Sequence, residues 1–315
     1  MNKIPVGRTI AFAYSFTFGQ IGTVIGLIWL PLLVFFIGDF FATTYYAQGF
    51  EAWSGDADPS AIGKPLLALM VFYVVTVFVI AVIGVSVTRQ AMGLRKGGAL
   101  VHFGLGAAEI NLFLSFLAAY LVVIAVCVGL FLGLLVFGGV AGVVLNAFAA
   151  SMSKAQMATT AFGLGVAAGA GMLAAVIYVA ARLVFLLAAV TVAEEKIDLV
   201  RAWSLTKGNF WRIFAVGLAT VVPIALVAAG ANIAILGPQN FIPDLQTSTD
   251  TAVQMRQMAA QMRAMVDNLP LVLGLGLLLA PFTYGLLFSA PAFAYRALVS
   301  AAPISPPDTG PLRPA

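Results

Sequence analysis

The sequence predicts an all-α bundle of about six transmembrane helices with amphipathic interfacial segments, and three observations predict it. The residue types AVILMFWYC make up 62% of the 315 residues and charged types only 9%, against roughly 45–50% and about 25% in a soluble domain. Uncharged stretches of the ~20 residues that a bilayer crossing needs recur six times. Basic residues fall unevenly between those stretches. A chain this apolar cannot cover its surface with polar groups in water; in lipid it has no need to.

The stretches lie near 17–38, 66–88, 112–137, 161–181, 213–236 and 270–294, within one membrane domain, 1–301. Two are over-long. The run 112–150 contains Gly138, Gly139 and Gly142, and 138–150 is taken as a helical extension or a dip into the outer interface. The run 161–193 is interrupted by Arg182, and 183–193 is taken as a continuation along the inner interface. Charge asymmetry tests this layout, because short cytoplasmic loops collect Lys and Arg. With the N-terminus inside, the inner side holds Lys3, Arg8, Arg89, Arg95, Lys96, Lys196, Arg201, Lys207, Arg212, Arg296 and Arg313. The outer side holds Lys64, Lys154, Arg256 and Arg263, and Arg182 sits at the inner boundary. A seventh span would move one block of basic residues to the wrong side, so both termini are expected in the cytoplasm. The first span is too long for a signal-peptide core and reads as a retained helix. The tail 302–315 carries Pro303, Pro306, Pro307, Pro311 and Pro314 and is expected to be disordered.

An internal echo links the two ends of the chain. Residues 13–19 read Ala-Tyr-Ser-Phe-Thr-Phe-Gly and residues 202–208 read Ala-Trp-Ser-Leu-Thr-Lys-Gly, with Gln20 matching Asn209 just beyond. Both copies precede a span running from inside to outside, the pattern of two parallel pseudo-repeats. In the second copy Leu199, Trp203, Thr206, Phe210 and Phe214 recur at spacings of 4, 3, 4 and 4, which makes one helical face mainly apolar. Lys196, Arg201, Lys207 and Arg212 are interspersed, and Trp203 and Trp211 have rings favoured at the headgroup level. Gly208 and Asn209 can end one helix and cap the next. The expectation is a helix lying on the inner leaflet that turns up into the fifth span. Its cations would meet anionic headgroups at about 1 kcal/mol each, and they serve equally as plain orientation and anchoring.

The stretch from Arg182 through Glu194–Glu195 to Ala202-Trp203-Ser204-Leu205-Thr206-Lys207-Gly208-Asn209-Phe210-Trp211-Arg212 resembles a bacterial family. That family is the polytopic membrane domain found fused to some glycerophosphodiester phosphodiesterases, together with its stand-alone relatives. The resemblance is close over about thirty residues and loose over the six-span layout. It implies a bacterial inner-membrane helical module of mostly unassigned role. The phosphodiesterase chemistry belongs to a separate soluble domain of acidic and histidine residues, so the resemblance carries over no catalytic residue.

The chemistry visible in the chain is sparse. The formal charge of +4 is too small to build a nucleic-acid groove, so no nucleic-acid partner is expected. One cysteine (Cys127) and one histidine (His102) exclude a disulfide framework and any multi-ligand Cys/His metal site. No Ser-His-Asp set or phosphate-binding loop can be assembled, so neither an enzyme nor a cofactor is expected. The six spans contain no Asp, Glu, Lys or His, which weighs against proton-coupled transport. Their polar set, Thr76, Ser115, Tyr120, Tyr178, Thr220, Asn232, Thr283 and Tyr284, reads as interhelical hydrogen bonding. The pairs Gly22/Gly26, Gly129/Gly133, Gly138/Gly142 and Gly165/Gly169 let backbones approach closely, either within one bundle or across a homo-oligomer face. Pro31, Pro223, Pro281 and Pro291 lie in or near spans and can kink them. Met255, Met258, Met262 and Met265 form one stripe of an amphipathic outer helix, better read as packing than as a Cu(I) site because no Cys or His joins them. Asp56-Ala-Asp58 lacks the later ligands of a calcium loop.

Arg182 is the exception, a cation about one helical length into the fourth span. It either holds a lipid phosphate or anionic solute between helices, or snorkels, or pairs with Glu194, Glu195 or Glu109. The site expected for a lipid or anion is therefore Arg182, Arg201, Trp203, Ser204, Lys207, Trp211 and Arg212. Two functions follow. One is a non-enzymatic inner-membrane protein that binds anionic phospholipid or organises partner membrane proteins at the cytoplasmic leaflet. The other is a channel or passive transporter for a small solute.

Overall fold

The computed structural model describes residues 3–56, 60–95, 104–148, 153–238 and 251–300, and every regular element among them is helical. His102, Lys96, Asp58 and the proline-rich tail lie outside the described residues. The chain runs α1 (Val6–Gly19), α2 (Ile21–Asp56), α3 (Ser60–Ala91), α4 (Ala107–Ala147), α5 (Lys154–Val184), α6 (Leu187–Glu194), α7 (Leu199–Leu205), α8 (Phe210–Leu236), α9 (Thr251–Asp267) and α10 (Leu269–Val299). Six stretches are long and apolar enough to cross a membrane: Ile21–Trp53, Ile62–Ala91, Ala107–Val144, Ala155–Glu194, Phe210–Leu236 and Leu269–Val299. The protein is an all-α polytopic bundle.

Local chemistry sets several of the boundaries. Ser153 opens α5 with a capping box: its hydroxyl accepts from the Gln156 amide at 3.2 Å, and Gln156 returns a bond to the Ser153 amide at 2.9 Å. Asp198 opens α7 by accepting from the Arg201 amide at 2.7 Å. Gly208, at φ +75°, lies between α7 and α8, in a conformation that an L side chain adopts only with strain. The first apolar run, expected from residue 17, is divided at Gln20. Residues 17–19 finish α1, and the crossing helix begins at Ile21.

α10 is the hub, packed against α1, α2, α3, α6 and α8. Around it the core collects Leu27 and Ile28 of α2, Ile83 and Val87 of α3, Leu112 of α4, Leu187 and Val190 of α6, and Phe288 and Ala292 of α10, all buried. At four described glycines, Gly38, Gly84, Gly106 and Gly285, a neighbour is closer than a side chain permits, and two of these contacts hold α10 to α3 and to α1. A Cβ on Gly84 would stand 2.8 Å from the Phe288 ring, and one on Gly285 would stand 2.7 Å from Thr17 Cγ2. Gly22, Gly129, Gly133, Gly138, Gly142, Gly165 and Gly169 from the expected small-residue pairs meet nothing within 4 Å. The close packing inside this bundle thus uses other glycines. The far parts of α4 and α5 carry most of these open glycines and stand apart from the core. No described side chain of α4 beyond Ala119 is buried, and in α5 only Arg182 and Leu183 are.

Two expectations need correction. Residues 183–193 do not run along an interface: the helix breaks at Phe185–Leu186 and restarts as α6, whose Leu187, Ala188, Ala189, Val190, Thr191 and Val192 are all buried. A segment this free of charge gains by packing against α3, α4 and α10. The intramembrane hydroxyls mostly serve their own helices. Thr76, Thr220 and Thr283 donate to the carbonyls of Phe72, Val216 and Leu279, four residues earlier. Ser115 alone of the expected hydroxyls bridges two helices among the described residues, to Thr191 of α6 at 3.2 Å.

Candidate functional site

One end of the bundle concentrates the ionised groups. Arg89 at the end of α3 faces the buried carboxylate of Glu109 at the start of α4, at 3.7 Å, and Glu109 also accepts from the Gly106 amide at 3.0 Å. Asn111 donates to the Glu195 carbonyl at 3.0 Å, and the Tyr295 hydroxyl of α10 donates to Glu194 at 3.1 Å. Arg201 donates to the same carboxylate at 3.1 Å, while Lys196 lies 3.4 Å from Glu194 and 3.3 Å from Asp198. These hydrogen bonds and ion pairs tie the ends of α3, α4, α6, α7 and α10 together. The Asp198 carboxyl is held below its usual range, first by the Arg201 amide it accepts from and also by Lys196. The Lys196 ammonium is raised, chiefly by its bond to Asp198.

Arg182 sits in the last turn of α5, 8% exposed. Its guanidinium lies over the Trp203 ring, 4.0 Å from the centroid, and 5.5 Å from the Tyr178 centroid. One terminal nitrogen donates to the Tyr178 hydroxyl at 2.9 Å, the other to the Trp203 carbonyl at 2.9 Å, and Nε reaches Thr206 Oγ1 at 3.4 Å. Thr206 in turn donates to the Arg182 carbonyl at 3.0 Å, which satisfies a backbone oxygen next to the helix break. Phe210 closes the aromatic side, its ring 4.9 Å from that of Tyr178. No carboxylate of a described residue lies within 4.0 Å of Arg182: Glu109 is paired with Arg89, and Glu194 with Arg201 and Lys196. The charge is therefore solvated by neutral groups and left uncompensated. The result is a clamp that seats α7 and the start of α8 on α5.

The other expected residues divide into two groups. Arg201 is neutralised by Glu194, and Ser204 turns its hydroxyl back to the Arg201 carbonyl at 2.8 Å. Lys207 is exposed without an ion pair to a described residue, Trp211 is 75% exposed, and Arg212 donates to the Ile4 carbonyl at 2.8 Å. Asn209 adds the second half of that junction, its side-chain oxygen accepting from the Ile4 amide at 3.1 Å. The two bonds dock the N-terminal segment on the α7–α8 turn and bring exposed Lys3, with Arg8 a turn into α1, to the same end of the bundle. Neither Lys3 nor Arg8 has an ion-pair partner among the described residues.

Sequence reasoning missed this N-terminal contribution, because no local pattern announces a contact spanning two hundred residues. It also omitted Tyr178 and Thr206 from the Arg182 cluster, although Tyr178 stands four residues before Arg182 and so on the same helical face.

No protein-family model matches this chain, and neither does any curated protein or solved structure. None of these comparisons bears on the family that residues 182–212 were read to resemble.

Proposed function

We propose that this is a non-enzymatic, multi-pass membrane protein that holds an anionic phospholipid headgroup at the ionised end of its bundle, on the surface where the N-terminal segment meets the α7–α8 turn. One observation carries the reading. Lys3, Arg8, Lys207 and Arg212 have no ion-pair partner among the described residues, whereas neighbouring Lys196 and Arg201 are neutralised by Glu194 and Asp198. A 75% exposed tryptophan stands in the same turn, as expected of a ring at the headgroup level. Arg182 adds an uncompensated positive charge and holds this surface in place. The charge asymmetry of the sequence supports the cytoplasmic leaflet for that end, and the resemblance of 182–212 supports a bacterial inner membrane.

The test is native mass spectrometry of protein released from nanodiscs that contain phosphatidylglycerol and phosphatidylcholine. Wild type is compared with an Arg8→Gln/Lys207→Gln double variant and with Lys196→Gln. At about 1 kcal/mol per cation, removing two unpaired charges lowers retention of the anionic lipid roughly thirtyfold. Removing the paired Lys196 leaves it nearly unchanged. Equal retention in all three proteins, or no preference for phosphatidylglycerol in wild type, overturns the reading.

A further inference from the structure

A cavity of about 430 Å³ lies between α3, α4, the broken α5–α6 helix and α10. Its floor is buried, formed by Ala119, Ala188 and Phe288, and its rim is exposed at Tyr120, Val184 and Leu287. Phe185 at the α5–α6 break and Val184 just before it line the cavity, as does Pro291 of α10. Non-helical backbone at membrane depth is tolerated where it is buried or lines a cavity, so the break and the space belong together.

The depth of the cavity follows from the chain. The ionised ends of α3, α4, α6 and α10 are tied together through Arg89–Glu109, Asn111–Glu195 and Tyr295–Glu194. From that plane the lining residues Ile80, Ala119, Val184 and Leu287 lie nine or ten positions away, from Arg89, Glu109, Glu194 and Arg296 respectively. At 1.5 Å rise per residue each is about 14–15 Å deep, the centre of a hydrocarbon core roughly 30 Å thick. The three paths that stay within one helix, in α3, α4 and α10, give the same depth; the Val184–Glu194 path crosses the helix break.

We propose that this cavity takes the hydrocarbon chain of a membrane lipid, entering sideways from the bilayer past Tyr120, Val184 and Leu287. The walls are carbon apart from the Tyr120 hydroxyl, which makes no hydrogen bond to a described residue. A polar solute would lose its hydrogen bonds there, and an apolar cavity of this kind does not fill with water. The inference is independent of the headgroup reading, which concerns exposed cations at the end of the bundle.

The experiment places the wild-type protein in nanodiscs whose phospholipid carries a diazirine near the end of one acyl chain, illuminates them, and maps the adducts by proteolysis and mass spectrometry. Labelling is expected to concentrate on 116–123 and 287–291, above the level on the exposed stretch 221–227 of α8, which does not line the cavity. It should fall to that background in Val184→Trp and in Ala180→Phe, two substitutions at the rim and wall that fill the space without touching a fully buried position. Labelling at background in wild type, or labelling that either folded filling variant leaves intact, overturns the proposal. A Tyr120→Cys disulfide between two copies in a Cys127→Ala background overturns it also, by placing a second protein at the mouth. Loss of phosphatidylglycerol retention in the Arg8/Lys207 variant with acyl labelling intact would separate failure of one site from failure of the other.

Discussion

Residues 13–20 and 202–209 start from nearly the same letters and reach the same local structure, yet they end with different neighbours. Ala13 and Ala202 are both fully buried, as are Thr17 and Thr206. The Ser15 hydroxyl donates to the Phe12 carbonyl at 3.1 Å, and Ser204 donates to Arg201 at 2.8 Å. Each copy is a short helix that turns into a crossing helix, α1 into α2 and α7 into α8. The contrast lies in what each meets. Tyr14 spends its hydroxyl on the Ala219 carbonyl at 2.8 Å, whereas its counterpart Trp203 lies under a guanidinium. Thr17 presses on Gly285 and has no hydrogen-bond partner among the described residues, whereas Thr206 is bonded to Arg182 through both backbone and side chain. Local sequence sets helix and burial in both copies. The preceding helix supplies the charge in only one, because α5 delivers Arg182 to α7 and no such helix precedes α1 among the described residues.

The largest effect that would break this comparison comes from Arg182. Arg182→Leu removes a desolvated cation–π contact of about 2 kcal/mol and hydrogen bonds to a charged group of about 1.5–3 kcal/mol each. Relief from holding a charge in apolar surroundings offsets part of that. The net expectation is a loss of about 2 kcal/mol or more in denaturant unfolding of the purified protein. Arg182→Lys should restore little, because an ammonium does not present the planar fork that reaches Tyr178 and the Trp203 carbonyl together. Wild-type stability in Arg182→Leu would mean that apolar packing alone seats α7, and that the two copies differ less than their contacts imply.

The bundle was legible because twenty-residue apolar runs admit few structures in lipid, and their number and order follow from where charge interrupts them. The echo was legible as sequence identity, and Arg182 stood out as the one cation deep in an apolar run. What could not be read was which way such a residue turns. The sequence leaves Glu194, Glu195 and Glu109 all open as partners of Arg182, but the break at Phe185–Leu186 lets α6 pack separately and leaves Glu194 to Arg201, Lys196 and Tyr295, while Glu109 pairs with Arg89. Arg201 looked as available as Lys207 until α6 placed a carboxylate beside it. The docking of Ile4 on Asn209 and Arg212 depends on tertiary geometry that no periodicity encodes.

A smaller effect sharpens the comparison at its most similar position. Valine is nearly isosteric with threonine, so Thr→Val at the two equivalent sites isolates the hydroxyl. Thr206→Val removes the acceptor of Arg182 Nε and the one hydroxyl hydrogen that the Arg182 and Trp203 carbonyls share, and should cost about 1–3 kcal/mol as buried polar groups lose a hydrogen bond. Thr17→Val removes a buried hydroxyl with no partner found and should be neutral or mildly stabilising, since replacing an unsatisfied polar group by an apolar one relieves desolvation. The same unfolding assay measures both. Equal costs at the two positions would show that the likeness between the two segments extends to the hydroxyl's role as well as to its burial.

The smallest effect distinguishes how the two short helices begin. α7 is capped by Asp198, whereas α1 follows Pro5 with no side-chain cap. The Asp198 carboxyl titrates below its ordinary 3.8, first because it accepts from the Arg201 amide and further because Lys196 stands beside it. A folded-state value below the unfolded one gives stability that is present above the ordinary value and is lost as pH falls through the lowered one. Lys196 stays charged throughout that window, its own titration raised away from it. Amide exchange in 199–205, corrected for the intrinsic rate, should therefore quicken as pH drops below 3.8, while 6–19 shows no matching change. Asp198→Asn keeps an acceptor at the cap but removes the proton site, so the pH dependence should flatten while the helix persists. If exchange in the Asn variant still quickened over the same window, the loosening would come from another group at this end of the bundle, and Asp198 would not be the proton site that loosens α7.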